Sequence, residues 1–179
     1  AGKCVEVVPD VPEEVIRRIK TAAEKANADI TIIEVGGTVG EYQNVLFLEA
    51  ARLMQVEDPE SVKFVLVSYL PVPPSIGEMK TKPTQYAVRT LNSAGISPDF
   101  IICRSTLEID KPRKEKIARF CSVSWDHIIA APDAKSIYSI PELFENQHFA
   151  DHVLKSFNVS AGRNDLNAWK EFTQRATTA

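Results

Sequence analysis

Two apolar patterns alternate along the chain. Short β-branched runs predict strands, and longer stretches with apolar residues three and four apart predict helices. Cys4-Val5-Glu6-Val7-Val8 reads as a first strand, punctuated by Pro9 and Pro12 before a charged helix from about Glu13 to Asn27. Asp29 to Val35 is nearly continuous in apolar residues, the pattern of a strand buried on both faces of a parallel sheet. Phe47 to Met54 has helical spacing, Val62 to Leu70 that of a strand, and Thr84 to Ala94 that of a helix closed by Gly95. A strand at Phe100 to Cys103, a helix at Arg113 to Phe120 and a strand at His127 to Ala130 follow. Pro141 opens helical segments that run to Leu154, and a polar helix spans Asp165 to Arg175. Val159 to Asn164 (VSAGRN) is the one linker-like stretch, and the tail ATTA is expected to fray. Five strands alternating with helices predict an α/β fold with a mostly parallel, Rossmann-like sheet in three layers, helices covering both faces.

Composition narrows the function. A chain of 179 residues, 44% hydrophobic and 25% charged, is long enough to bury a core and too apolar to be disordered. Its net charge of −3 argues against nucleic-acid binding through bulk positive charge. No apolar run reaches the ~18 residues of a membrane span, and AGKCVEVVPD lacks a signal peptide's apolar stretch. Cys4, Cys103 and Cys121, odd in number and without CxxC spacing, read as reduced thiols of a cytoplasmic protein. His148 and His152 lie four apart, which suits either a shared metal or, far more simply, a solvated helix face.

In open parallel sheets ligands bind beyond the carboxyl ends of the strands, so the strand exits carry the candidate chemistry. Glu34 ends the second predicted strand and opens into Gly36-Gly37-Thr38-Val39-Gly40, three of the chain's seven glycines. A carboxylate beside such a loop suits Mg²⁺, and equally a plain turn with a salt-bridged Glu. The next exit leads to Lys80-Thr81-Lys82-Pro83-Thr84-Gln85. There two ammonium groups at a helix start suit an anion, or merely a solvated lysine pair with a capping Thr. Arg104-Ser105 and Pro132-Asp133-Ala134-Lys135 occupy the last two exits. Together the exits read as a cleft for a phosphate ligand. No G-x-x-x-x-G-K-[ST] loop is present, and no nucleophilic triad spacing appears.

Glu34 to Gly40 followed by Phe47-Leu48-Glu49-Ala50 resembles the synthetase (amidoligase) domain of the CTP synthase family. Gly77-Glu78 with Lys80 to Gln85 resembles its GE-x-KTKPTQ segment. Ile102 to Ser105, Lys116-Ile117-Ala118 with Phe120-Cys121, and Ser136-Ile137-Tyr138 with Ile140-Pro141 continue the match in order. The resemblance runs from about Gly2 to Phe157. It implies a P-loop NTPase-related sheet, and a family reaction in which ATP phosphorylates the uracil O4 of UTP, ammonia attacks C4, phosphate leaves and CTP forms.

Carried over by position, the resemblance implies catalytic roles for Lys82 and Glu34, with Glu34 the Mg²⁺ ligand. Lys80, Thr81, Lys82, Pro83, Thr84, Gln85 and Lys116 are implied to bind UTP and CTP, Pro132, Asp133 and Ala134 the adenine of ATP. Glu41, Tyr42 and Gln43 occupy the segment that contacts feedback CTP. That segment usually reads Asp-Ile-Glu, and Pro132 stands where a basic residue is more usual. Ammonia from glutamine through a glutaminase domain, GTP as an allosteric activator and a homotetramer are further implications, with neither nucleic acid nor membrane as a partner. The family's P-loop and first metal-binding aspartate fall before Ala1, and its glutaminase domain after Ala179. Residues 1–157 are thus expected to be the later part of one amidoligase domain, incomplete at its N-terminus. Residues 158–179 are expected to be a linker and helix leading toward the glutaminase domain. Alone, the chain is expected to be catalytically incomplete. The competing reading is a non-catalytic UTP- or CTP-binding or assembly module that lost the P-loop.

Overall fold

Pro9 cannot continue a helix backwards, and Asp10 and Glu13 place negative charge where a helix's first turn favours it. The first helix, α1, accordingly spans Asp10–Ala26 and stops at Asn27 in the left-handed conformation, φ 46°. The computed structural model describes residues 2, 4–160, 162 and 165–178. They divide into two units, residues 1–62 with 89–97, and residues 63–88 with 98–179. In the first unit α1 packs on α2 (Val45–Glu57), with Ile16 and Ala50 buried and Lys20 paired to Glu57 at 2.9 Å.

Two expected strands are absent from this unit. Cys4–Val8 and Asp29–Val35 carry no sheet pairing, and Val5 and Ile32 stand 69% and 92% exposed. Apolar patterning says what a strand would bury. Its ladder of main-chain hydrogen bonds must come from a neighbouring strand, and the described residues supply no strand partner to either run.

The second unit holds the sheet. Strands β1 (Val65–Tyr69), β2 (Phe100–Ser105) and β3 (Ile128–Pro132) run parallel in the order β1-β2-β3. Leu66 lies opposite Ile101, and Ile102 opposite Ile129. The central strand is buried almost throughout, whereas β1 alternates, burying Leu66 and Ser68 and exposing Val65, Val67 and Tyr69. Along β3 the Gln147 amide takes the place of a further strand. Its Oε1 accepts from Ala130 N at 2.7 Å and its Nε2 donates to Ala130 O at 2.8 Å. Ile102, Ile129 and Ala131 form a core closed by Phe144 and Phe149.

Helix α3 is Lys82–Ser93, with the division between units falling inside it, and Gly95 beyond it adopts φ 78°. Helices α4 (Lys111–Cys121), α5 (Ile140–Glu145), α6 (Phe149–Ser156) and α7 (Asn167–Thr178) complete the unit. Trp169 Nε1 and Thr173 Oγ1 both donate to Tyr138 O, holding α7 in place. Ala176 to Thr178 belong to that helix, where the sequence predicts a frayed tail. Ala179, and Ala161, Arg163 and Asn164 of the expected linker, lie outside the described residues. The fold is therefore α/β, with one three-stranded parallel sheet and seven α-helices among the described residues. That is three strands where the sequence pattern predicts five.

Candidate functional site

The exit of β1 is a folded loop. Ile76 and Gly77 N donate to Pro73 O, Gly77 supplies φ 65°, and Lys80 N returns to Pro71 O at 2.9 Å. Lys82-Pro83 then opens α3, proline falling in the first turn where its missing N–H costs nothing. The KTKPTQ side chains sort by burial. Thr81, Thr84 and Gln85 are buried, while Lys82 and Pro83 are exposed and Lys80 is half-buried. The inward set is satisfied, Thr84 Oγ1 lying 2.8 Å from Ser68 Oγ and Gln85 Nε2 donating to Thr81 Oγ1 at 3.1 Å.

Helix α4 faces this loop. Asp110 caps it, Oδ1 accepting from Arg113 N at 3.0 Å, with Pro112 in its first turn. Between loop and helix lies a cleft of about 610 Å³ lined by Glu78, Lys80, Lys82, Pro112, Arg113 and Lys116, with Met79 and Thr81. Four cations therefore meet one carboxylate. Glu78 Oε2 pairs with Lys80 at 3.0 Å and Oε1 with Arg113 at 3.1 Å. The Lys80 ammonium, and less strongly the Arg113 guanidinium, hold the Glu78 carboxyl below the usual carboxylate range. A positive concavity at strand exits and a helix start suits a polyanion.

The structure thus gathers Lys80, Thr81, Lys82 and Lys116 at one cleft. Pro132 ends β3, Asp133 and Ala134 follow it, and none of the three is among the cleft's lining residues. There Asp133 accepts from Arg104 Nη2 at 2.9 Å while its N donates to Ser105 O at 2.8 Å.

Glu34 and Glu41 to Gln43 belong to the other unit. Their loop is held by Glu41, whose Oε1 accepts from Thr38 N and Oε2 from Gln43 Nε2, both at 2.9 Å. The Thr38 bonds lower the Glu41 carboxyl pKa. Asn44 Nδ2 donates to Gly36 O at 2.7 Å. At Gly37 the left-handed φ of 83° favours glycine, and a Cβ there would stand 2.6 Å from the Glu41 carboxylate and displace it. Tyr42 is 94% exposed and Glu34 is exposed.

Sequence reasoning missed Arg113 as a cleft residue; its spacing of three before Lys116 was the available signal. It also missed a smaller cavity of about 300 Å³ beside Trp125, Leu143 and Gln147. There the Lys114 ammonium sits 3.7 Å over the indole. His148 precedes α6 with its Nδ1 3.3 Å from Asp151 Oδ2, while His152 tilts against His127, so the two do not form a pair. Among the described residues no group of three or more His, Cys, Asp or Glu could hold a metal, and no helix is long and apolar enough to cross a membrane.

Fold and site together define a parallel α/β unit carrying a cationic cleft at the carboxyl ends of its strands. Residues 1–159 match the family described as CTP synthase N-terminus. The chain is 41% identical over 170 residues to a CTP synthase of Methanothermobacter thermautotrophicus, covering 94% of this chain and 32% of that protein. It is 40% identical over 175 residues to one of Caldanaerobacter subterraneus subsp. tengcongensis, covering 97% and 33%. A CTP synthase of Thermosynechococcus vestitus is 42% identical over 175 residues, covering 97% and 32%. The chain belongs to the CTP synthase family, in its N-terminal region, and spans about a third of the length of these relatives.

Proposed function

We propose that this chain supplies the UTP- and CTP-binding part of an enzyme that aminates UTP to CTP at the expense of ATP, in pyrimidine nucleotide biosynthesis. The observation that carries the reading is the cleft, where Lys80, Lys82 and Lys116 converge from a strand exit and a helix. A triphosphate is dense in charge, and ammonium groups neutralise it as point charges. Lys80, Lys82 and Lys116 do this directly. Thr81, Pro83, Thr84 and Gln85 shape the loop that presents the first two, three of them through buried contacts. Lys82 also faces charge that develops during transfer, since phosphoryl transfer is governed by positioning and electrostatic stabilisation.

Glu34 fits a Mg²⁺ site of the kind that takes one or two carboxylates and completes its shell with phosphate oxygens and water: it is one exposed carboxylate beside a glycine loop. Mg²⁺ held there would neutralise and orient the phosphates of ATP. Pro132, Asp133 and Ala134 receive the adenine; Pro132 offers only its carbonyl and ring, having no N–H. Glu41, Tyr42 and Gln43 meet feedback CTP, with Glu41 shaping the loop and Tyr42 free to touch a base. In the whole protein, ammonia comes from glutamine at a glutaminase domain, GTP activates, and four cytoplasmic copies assemble.

The test is titration of Lys80→Ala, Lys82→Ala and Lys116→Ala, made in the full-length protein, with UTP and CTP. Charge-assisted contacts are worth about 1.5–3 kcal/mol, so each substitution weakens both nucleotides roughly ten- to a hundredfold. ATP affinity changes much less. Unchanged UTP affinity in all three variants would return the segment to an ordinary helix-start loop.

A further inference from the structure

Arg113 stands apart from the other cations of the cleft because its guanidinium is already engaged on three sides. Its Nε donates to Met79 O at 3.1 Å, its Nη2 pairs with Glu78 Oε1 at 3.1 Å, and its Nη1 pairs with Asp110 Oδ2. The side chain is 26% exposed, whereas Lys116 is exposed. Two of these acceptors lie on the loop carrying Lys80 and Lys82, and the third is the cap of the helix carrying Lys116. Arg113 and Met79 are 34 residues apart in sequence.

We propose that Arg113 is a positioning residue for the triphosphate clamp, riveting the Glu78–Met79 loop to the start of α4 and so setting the distance between Lys80 and Lys116. This rests on the reading of the cleft as the triphosphate site. The chemistry favours arginine for the task, since its planar fork offers five donors in fixed directions, while an ammonium is a single rotating point of charge. Its charge is offset by Glu78 and Asp110, so its contribution to an arriving anion is made through the lysines it places. Without it, the Glu78 carboxylate would lose its Arg113 partner and keep Lys80, and this link between the loop and the helix cap would be gone.

The experiment is a double-mutant cycle in the full-length enzyme, reading the KM for UTP and the Kd for CTP. Arg113→Lys keeps the charge and loses the fork, so both constants should rise roughly tenfold, ahead of any fall in kcat and with the KM for ATP unmoved. In a Lys80→Ala/Lys116→Ala background the same change should add less than about twofold, because the residues it acts through are gone. Full additivity in that background would overturn the proposal, making Arg113 an independent ligand. So would wild-type constants in Arg113→Lys. If Arg113→Lys does not fold, Arg113→Gln carries the same cycle; failure of both to fold makes Arg113 a residue of the fold and also overturns the proposal. The two readings separate cleanly. Unchanged UTP affinity in the lysine variants alone removes the triphosphate site, whereas weakened lysine variants beside a silent Arg113→Lys remove only the positioning role.

Discussion

Thr84 carries a prediction that joins the clamp to the core. Its side chain is fully buried in the first turn of α3, and its hydroxyl lies 2.8 Å from that of Ser68 on β1, also buried. Thr84→Val removes one hydroxyl and leaves the other without this partner. A buried polar group stripped of its partner costs about 1–3 kcal/mol, whereas replacing both partners with apolar groups is close to neutral. Thr84→Val should therefore loosen the α3–β1 contact by that amount, and Ser68→Ala/Thr84→Val should recover most of it. Hydrogen exchange read on peptides covering β1 and α3 in the full-length protein reports the change directly. Roughly five- to 150-fold faster exchange is expected in the single variant, the equivalent of 1–3 kcal/mol. Wild-type exchange in Thr84→Val, or a double variant as fast as the single, would refute the reasoning. Thr84→Ser keeps the hydroxyl and should behave much closer to wild type.

Glu34→Ala should lower Mg²⁺-dependent turnover of the full-length enzyme by roughly 10²–10³-fold, the scale of other lost electrostatic stabilisers, while circular dichroism stays unchanged. Glu78 should titrate below the ordinary glutamate range by NMR, Lys80 and then Arg113 being the cause. A carboxyl lowered in the fold contributes its stabilisation above the unfolded value and loses it as pH falls through the folded one. The cleft's ion pairs should thus persist through neutral pH and open only in acid. Burial pushes the Cys103 thiol up to about 12, and Cys121 is likewise buried, while Cys4 is exposed. Iodoacetamide at pH 8 should therefore modify Cys4 and reach the other two only after unfolding, as peptide mass mapping would show.

What the sequence showed and what it hid divide along the range of the interactions. Pro83 and Gly95 bracket α3, local signals that are legible in the sequence, whereas α4 starts at its Asp110 cap, ahead of the Arg113 where the apolar pattern places it. The apolar runs that became β1, β2 and β3 were readable too, because each finds a neighbour in this chain. Cys4–Val8 and Asp29–Val35 carry the same kind of pattern without a paired neighbour, and a pattern alone forms no ladder. At the site, the lysines of KTKPTQ stood out by their spacing. Lys116 is legible only through the family resemblance, and Arg113 not at all, because its partners Met79 and Glu78 lie 34 and 35 residues away. Gln147, which caps β3 from 17 residues off, was invisible for the same reason.

The cations of the cleft are not equivalent. Among the described residues neither Lys82 nor Lys116 is ion-paired, whereas Lys80 is held by Glu78 and Arg113 by Glu78 and Asp110. An incoming polyanion therefore meets two uncommitted ammonium groups first and must draw Lys80 away from a carboxylate. That competition is mild, because Glu78 and Lys80 are 55% and 37% exposed, and such pairs are worth about 0–1 kcal/mol. It still subtracts from what Lys80 contributes, and removing Lys80 also frees Glu78 to engage Arg113 more fully. The lysines should consequently rank, with Lys82→Ala and Lys116→Ala costing more UTP affinity than Lys80→Ala. An equal loss in all three would mean that Glu78 leaves Lys80 at no cost, and that its carboxylate serves Arg113 first.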